Sequence, residues 1–546
     1  MSISVLDQAH KVNQVYKVNR AHKVNRVHKK ISFITLGCAK NEVDSERMQA
    51  RLLAAGFKLT DNHESSDAII INTCAFITEA TEEAIATILE VAELESVTDD
   101  SAKLIVAGCM PSRYGEELSS ELPEVSRFVP CAQEENIVEV VCEVLSLTAD
   151  EAGKTGGAGK TGGAGKTGGA GKTAETGKTG GAGKTAETGK TAEAAFLRTT
   201  TAPWAYVKIA DGCDRRCSYC TIPLIKGGYK SERPEDIVAE VTGLVASGAH
   251  EIILIAQDTG IWGHDLSSSQ AEAGLAYRAG SGDPALVRVE TRPAYSESSD
   301  DPASIRELPD LLEFLAEKLP TIWFRVMYLQ PGGITDHLLD VMASHSNICN
   351  YLDIPLQHAN ARILREMNRS GSAEEYLSLL RRIRNKLPDV VLRTTLITGF
   401  PGESEADATE LETFISEAEF DYVGIFAFSP EEGTTAGARD DQVPEDVRLA
   451  RMQRLRDLSD SIGFHKVANR IQNTEEVLVT GYDEEAPDDP YPVLGRTQRQ
   501  APEVDGMVHL DQGDRGELLS ATIIDAYCYE LDGKVIHKSY GLLQEI

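Results

Sequence analysis

The chain has 546 residues, 41% of them hydrophobic, and a formal net charge of −32. That length exceeds what one hydrophobic core organises, so three or more folded units are expected. So acidic a body repels phosphate backbones and attracts basic proteins; no apolar run approaches a bilayer span, no apolar stretch of a secretory signal opens the chain, and ten cysteines do not make a dense disulfide framework, so a cytoplasmic location is expected.

Residues 1–30 oppose the overall charge, with seven Lys/Arg against the single acid Asp7, and repeat Lys-Val-Asn at 11, 17 and 23. A period of six fits neither a compact helix nor a strand face, which predicts a disordered basic tail. From 31 to 147, the apolar runs 31–36, 68–71 and 104–107 read as buried parallel strands. Helical stretches such as 45–55 and 80–94 separate them. This β/α alternation predicts a doubly wound parallel sheet. Each strand runs into a cysteine: Leu36-Gly37-Cys38, Asn72-Thr73-Cys74 and Gly108-Cys109-Met110. Ligands of open parallel sheets bind beyond the carboxyl ends of the strands. One such cysteine would be a small buried hydrophobe; three at equivalent strand ends are harder to explain as packing.

Residues 148–195 are low complexity and suggest a P-loop through Gly-Ala-Gly-Lys-Thr. The spacing rejects it. A P-loop needs Gly-x4-Gly-Lys-Thr, and the residue five before each Gly is Lys or Thr, as Lys154 before Gly159 and Lys160 before Gly165. A flexible linker is expected.

From 197 to 470, six strand-like runs recur at 205–210, 251–256, 322–329, 351–354, 390–397 and 421–428. Helical segments at 234–246, 308–318, 334–343 and 373–386 lie between them. Six β/α repeats are too few for a closed eight-fold barrel and suit an open (β/α)6 barrel. A Ser/Ala/Gly/Asp-rich insertion at 264–306 interrupts it and is expected to be disordered. After the first strand comes Cys213-Asp214-Arg215-Arg216-Cys217-Ser218-Tyr219-Cys220, a C-x3-C-x2-C pattern. Three thiolates this close can hold three irons of a 4Fe–4S cube and leave the fourth iron open. Structural zinc wants a fourth Cys or His in a paired arrangement, and none follows at suitable spacing. From 472 to 546, short β-rich runs at 476–480, 504–510, 518–525 and 534–536 predict a small antiparallel β-barrel. This unit carries 16 Asp/Glu against 5 Lys/Arg.

The order of units resembles the methylthiotransferase family of radical S-adenosylmethionine (SAM) enzymes, whose terminal β-barrel is the TRAM domain. The likeness covers nearly everything from 31 to 540 except the linker and the insertion. It rests on the three-cysteine N-terminal unit, the C-x3-C-x2-C barrel, Leu36-Gly37-Cys38-Ala39-Lys40-Asn41, Ile255-Ala256-Gln257-Asp258-Thr259, Asp353-Ile354-Pro355-Leu356-Gln357-His358 and Ala501-Pro502-Glu503-Val504-Asp505-Gly506. Where the family often has Tyr-Leu-Tyr-Pro-Glu, this chain has Tyr328-Leu329-Gln330-Pro331-Gly332. The resemblance implies two 4Fe–4S clusters. One, on Cys213, Cys217 and Cys220, binds SAM at its open iron and cleaves it to a radical that takes hydrogen from carbon. The second, on Cys38, Cys74 and Cys109, supplies the sulfur, and a second SAM methylates it. An electron donor and a sulfur donor are implied as partners.

Within the family the chain is most similar to the branch that adds a methylthio group to the β-carbon of an aspartate in small-subunit ribosomal protein S-twelve. The sister activity modifies an adenosine in transfer RNA, and an iron–sulfur electron-transfer protein would be a third class. The acidic TRAM unit favours a basic protein over transfer RNA, because phosphate contacts dominate nucleic-acid affinity. Further candidates for the SAM site are Tyr219 against the adenine, Gly399 and Gly402 in a strand-end loop where glycine permits close approach, Gln357 and His358 at a strand end, and Arg393. Arg325 and Arg393 could meet a carboxylate or form internal ion pairs, because an unpaired buried charge is costly. Cys131, Cys142, Cys349 and Cys528 lack ligand spacing and read as bystanders.

Overall fold

The computed structural model describes residues 29–147, 202–266, 302–486 and 488–538. The basic tail up to residue 28, the low-complexity linker and residues 267–301 of the insertion lie outside the described residues. Among the described residues no helix is long and apolar enough to cross a membrane.

The N-terminal unit is a parallel sheet of β1 (Lys30–Thr35), β2 (Lys58–Leu59), β3 (Ala68–Thr73), β4 (Lys103–Gly108) and β5 (Arg127–Pro130), in the order β2-β1-β3-β4-β5. The short strands β2 and β5 carry too few apolar residues to announce themselves in the sequence. Every residue of β3 is buried, as a strand covered on both faces must be. Ala68 and Ile70 pack with Met48 and Leu52 of α1 (Ala39–Ala54). Ile69 and Ile71 face Ala84, Ile88 and Val91 of α2 (Thr78–Ala92). The chain winds one way from β1 and the other way from β3, so the crevice of the fold opens at their carboxyl ends. Helix α1 starts at Ala39, six residues before the start expected from the sequence. Its first turn is held by Asn41, whose side chain donates to Leu36 O at 2.9 Å and Thr73 O at 3.0 Å.

All six expected barrel strands form: β6 (Trp204–Lys208), β9 (Glu251–Ile255), β10 (Trp323–Val326), β11 (Tyr351–Asp353), β12 (Val391–Thr398) and β13 (Tyr422–Ala427). A two-stranded ribbon of β7 (Ala210–Asp211) and β8 (Lys230–Ser231) follows β6. All neighbouring barrel strands are parallel, in two triplets, β10-β9-β6 and β11-β12-β13. A bridge from Phe324 to Ile348 and the hydrogen bond Leu329 N–H to Asp353 O (2.9 Å) join the triplets. Side chains alternate. Ala205, Val207, Ile252, Leu254, Phe324 and Leu352 face the outer helices, whereas Tyr206, Ile253, Ile255, Trp323, Tyr351 and Val391 line the lumen.

The C-terminal unit is a closed barrel, β14 (Thr474–Tyr482), β15 (Val493–Arg496), β16 (Val508–Leu510), β17 (Leu518–Tyr527) and β18 (Glu530–Lys538), in the order β14-β15-β16-β18-β17. Four of its strand pairs are antiparallel; β16 and β18 run parallel. Between β15 and β16 a strap enters the lumen of the large barrel at its amino end. Ala501 packs there with Tyr206 and Tyr351, the Tyr351 hydroxyl donates to Asp505 at 2.7 Å, and Tyr206 donates to Glu503 at 3.2 Å. Glu251, fully buried at the start of β9, receives Arg325 at 2.7 Å and Arg496 at 2.7 Å. Burial opposes its charge, yet the two guanidiniums hold its carboxyl below the ordinary range.

Breaking a buried ion pair leaves an uncompensated charge. Glu251→Ala is therefore expected to cost about 3–5 kcal/mol and to loosen the small barrel from the large one. Urea unfolding followed by tryptophan fluorescence reads it directly, since Arg496 lies over Trp204 at 4.8 Å. An unchanged midpoint would contradict the assignment.

Candidate active site

The carboxyl edges of the two parallel sheets face each other. On the N-terminal side, Cys38 caps α1 after β1, Cys74 follows β3, and Cys109 follows β4 at the start of α3 (Cys109–Tyr114). The backbone is shaped to bring them together. Gly37 has φ +103°, and a Cβ there would lie 2.6 Å from Cys74 Cβ. Gly108 has φ +97°, and a Cβ there would lie 2.3 Å from Asn72 Oδ1. Only glycine fits either place. Asn41 is the keystone: besides its two backbone bonds, its Oδ1 accepts from Cys109 Sγ at 3.7 Å. Asn72 in turn donates to Asn41 O at 2.9 Å and Ser45 Oγ at 3.0 Å. Neither asparagine stood out in the sequence except as part of a motif.

Cys131, read as a bystander, sits where β5 ends, in hydrogen-bonding contact with Cys109. That contact and burial push the Cys109 thiol up, while the same contact draws Cys131 down to about 6. A cavity of about 460 Å³ adjoins Cys131, with Lys226, Asp211 and Ser112 in its wall. Cys142 and Cys528 lie elsewhere, and Cys349 is in the lumen core.

On the barrel side, Cys213, Cys217 and Cys220 are all partly buried in one loop. Gly212 (φ +74°) lets that loop pass Gly228 O, which a Cβ would approach to 2.1 Å. Ser218 donates to Glu366 O at 2.8 Å, Asn368 to Arg216 O at 2.7 Å, and Arg215 pairs with the buried Asp258 at 2.7 Å. Arg369 donates to Cys217 Sγ at 3.7 Å and to Gln330 Oε1 at 2.6 Å. Burial pushes the Cys220 thiol up to about 12 and raises that of Cys213.

The other sequence candidates fall into distinct places. Tyr219 packs with Phe400, Phe428 and Met367, and burial raises its hydroxyl well above the usual range. Gly399 and Gly402, with φ +75° and +77°, are crowded by Arg448 on one side and by Arg439 and Asp441 on the other. Their loop is organised by Glu403, which accepts from Gly399 N–H (2.7 Å), Phe400 N–H (3.2 Å) and Thr398 Oγ1 (3.1 Å) and pairs with Arg451 (3.0 Å). His358 is fully buried against that carboxylate, its Nε2 at 3.5 Å from Glu403 Oε2 while its Nδ1 accepts from Asn360 N–H at 2.9 Å. Gln357 adopts φ +73° and bridges to β12 through its backbone, donating to Thr395 O at 2.8 Å. Arg393 pairs with Asp353 at 2.9 Å and approaches Asp505 to 3.7 Å. Arg325 lies at the opposite, amino end of the barrel on Glu251.

Between the two edges lies a buried lattice of charge. Lys208 reaches Asp44, and Asp211 at 2.9 Å; Lys226 reaches Asp44 at 2.9 Å and Asp211 at 3.7 Å. Burial would raise the Asp44 carboxyl, but the two ammoniums hold it far below its usual range. At the rim, Glu431 of the barrel accepts from Thr78 N–H at 2.9 Å and pairs with Arg113 at 3.0 Å.

Each triad offers three soft sulfur donors and no fourth Cys or His beside them in sequence, a set that fits an iron–sulfur cube. Three thiolates on a tetrahedral zinc, at about 2.3 Å from the metal, stand only about 3.8 Å apart. Among the described residues, the groups of three or more metal-binding side chains whose ligand atoms all lie within 4.8 Å of one another contain no cysteine. Triads made wholly of soft sulfur donors suit a cube.

Known proteins resemble the chain unit by unit and along most of its length. Residues 30–130 match the model of uncharacterized protein family UPF0004, residues 207–415 that of the radical SAM superfamily, and residues 473–536 that of the TRAM domain. The chain is 36% identical over 513 residues to a protein of Natranaerobius thermophilus named ribosomal protein uS12 methylthiotransferase RimO, covering 93% of this chain and 99% of that one. A protein of Geobacter sulfurreducens with the same name is 36% identical over 511 residues, at 93% and 99% coverage. Among solved structures, the radical SAM methyltransferase TsrM from Kitasatospora setae aligns over 75% of this chain and 74% of its own, with 14% identity and a TM-score of 0.45.

Gly37→Ala is expected to remove roughly half of the iron and sulfide of the reconstituted protein, about four irons of eight. The new methyl group would push Cys74 away while leaving the barrel triad intact. Iron and sulfide analysis with electron paramagnetic resonance of the reduced protein checks it; a full complement of iron would contradict the role given to this glycine.

Proposed function

The chain belongs to the RimO family of radical SAM methylthiotransferases, and from that premise we propose that it replaces a hydrogen on the β-carbon of an aspartate of ribosomal protein uS12 by a methylthio group. uS12 is the small-subunit protein S-twelve expected from the sequence. The observation that carries this reading is a cysteine triad at the strand ends of the N-terminal sheet and a second in the loop after β6, in a chain 36% identical over 93% of its length to RimO proteins. Cys213, Cys217 and Cys220 would hold one 4Fe–4S cluster and bind SAM through it; Cys38, Cys74 and Cys109 would hold the other. When bound, these groups supply an electron, a radical able to open an unactivated C–H bond, and the sulfur and methyl that replace the hydrogen.

The protein's own contribution is position and exclusion of water. Arg369, Asp258 and Ser218 fix the barrel loop, and Asn41 fixes the three strand ends of the other triad. The strap of the small barrel occupies the amino end of the lumen, which leaves the carboxyl edge to the substrate. Tyr219 and the Gly399–Gly402 loop would flank the SAM site. Gln357 shapes its floor, and His358 and Arg393 support it through Glu403 and Asp353. The substrate is basic, and Glu484, Glu485, Asp488 and Asp489 lie exposed on the small barrel. The transfer RNA reading is not favoured by these charges or by the relatives. Electron and sulfur donors complete the cycle, and the location that fits a ribosomal substrate is the cytoplasm.

Mass spectrometry of ribosomal proteins from cells with and without the gene tests this reading. One methylthio group on uS12 that disappears with the gene is expected; an unchanged uS12 with loss of a methylthioadenosine from transfer RNA would overturn it. Exchange of Cys213, Cys217 and Cys220 for Ala should abolish formation of 5′-deoxyadenosine. Exchange of Cys38, Cys74 and Cys109 should spare it while stopping sulfur insertion.

Reversing the charges of Glu484, Glu485, Asp488 and Asp489 should raise KM for uS12 several-fold with little change in kcat. The gap should close in high salt, where screening shortens to about 3 Å at 1 M. Equal KM values across a salt series would remove the small barrel from substrate recruitment.

A further inference from the structure

Cations crowd the crevice between the two sheet edges, and nearly all are neutralised. Lys208 and Lys226 share Asp44 and Asp211. Arg47 pairs with Glu240 at 2.8 Å, Arg393 with Asp353 at 2.9 Å, and Arg215 with Asp258 at 2.7 Å. Lys40 differs. Among the described residues its ammonium meets neither a hydrogen-bond acceptor nor an ion-pair partner. It stands 3.4 Å from the centroid of the Tyr328 ring, a contact that favours a cation but leaves its three N–H donors unused.

The carboxylates closest to hand are already committed. Asp353 places one oxygen on Arg393 and the other on Tyr328 N–H at 3.1 Å. Asp211 places one on Lys208 and the other on Gly212 N–H (2.9 Å) and Gln257 (3.2 Å). Tyr328 itself is held at φ +63°, a strained conformation for a bulky residue that the fold maintains at some cost. The result is a partly exposed ammonium seated on an aromatic face, two residues from Cys38 in the first turn of α1, with its N–H donors unspent.

We propose that Lys40 grips the side-chain carboxylate of the residue that receives the methylthio group. The proposal rests on the protein-substrate reading above and deepens it. A carboxylate held by Lys40 brings its neighbouring carbon between Cys38 and the barrel triad, and one β-carbon lies next to that carboxylate in aspartate. A neutral adenine offers Lys40 no charge, so the same residue discriminates between the two substrate classes of the family.

The test uses the full chain with its clusters reconstituted and two synthetic uS12 peptides centred on the aspartate that mass spectrometry finds modified, one with the aspartate and one with asparagine in its place. Fluorescence anisotropy reads binding. Wild type should prefer the aspartate peptide by roughly ten- to a hundredfold, the range of one charge-assisted hydrogen bond. Lys40→Met should bind both peptides alike, at the wild-type affinity for the asparagine peptide, with unchanged iron content. Lys40→Arg should recover part of the preference. A Lys40→Met protein that keeps the preference, weakens both peptides equally, or loses half its iron would overturn the assignment. Wild type that binds neither peptide would overturn the protein-substrate reading and this proposal with it.

Discussion

The site depends on the ion lattice of Asp44, Lys208, Lys226 and Asp211. These groups belong to two folded units separated by a long stretch of chain. Lys208 is the last residue of the first barrel strand, and Asp44 lies on the helix that follows Cys38. Each alone would bear a heavy desolvation penalty; together they offset it only in one relative orientation of the two sheets. The lattice therefore contributes registry more than net stability. It fixes carboxyl edge against carboxyl edge, the arrangement that the proposed joint action of two cysteine triads on one substrate carbon requires.

A second junction works at the far end of the barrel. The strap from the small β-barrel enters the lumen with Ala501, Glu503 and Asp505, while Glu251 ties Arg325 and Arg496 together beneath it. An open six-stranded barrel has a lumen that six strands of side chains do not fill. Here the missing volume is supplied by another unit, so the TRAM domain is part of the wall of the reaction chamber as well as a carrier of acidic surface. Glu503 and Asp505 are spent on that closure, whereas Glu484, Glu485, Asp488 and Asp489 of the same unit are exposed.

Much of this was legible beforehand for definite reasons. Strands buried on both faces are continuous apolar runs, so all six barrel strands and the three long N-terminal strands could be read. The strands that escaped, Lys58–Leu59, Arg127–Pro130, Lys230–Ser231 and Val493–Arg496, are short and lie at sheet margins or among turns, where the apolar signal is weak. Residues with unusual backbone demands were visible as glycine before cysteine at Gly37, Gly108 and Gly212 and as the strand-end glycines Gly399 and Gly402. Side chains that hold others in place, such as Asn41, Glu403 and Arg369, carry no pattern of their own, because their partners are distant in sequence.

The sequence by itself determined the chemistry. Thiol spacing in one loop, cysteines at equivalent strand ends and the β/α count are local properties, written into neighbouring residues by covalent geometry and periodicity. The tertiary structure decided the pairings. It turned His358 onto Glu403, Arg393 onto Asp353 and Arg325 onto Glu251, set Cys131 beside Cys109, and left Lys40 as the cation without an acceptor in the crevice among the described residues. Whether a buried charge is spent on the fold or kept for a ligand depends on which opposite charge folding brings within about 4 Å, and that distance is set by the packing of whole units, which no local stretch of residues encodes.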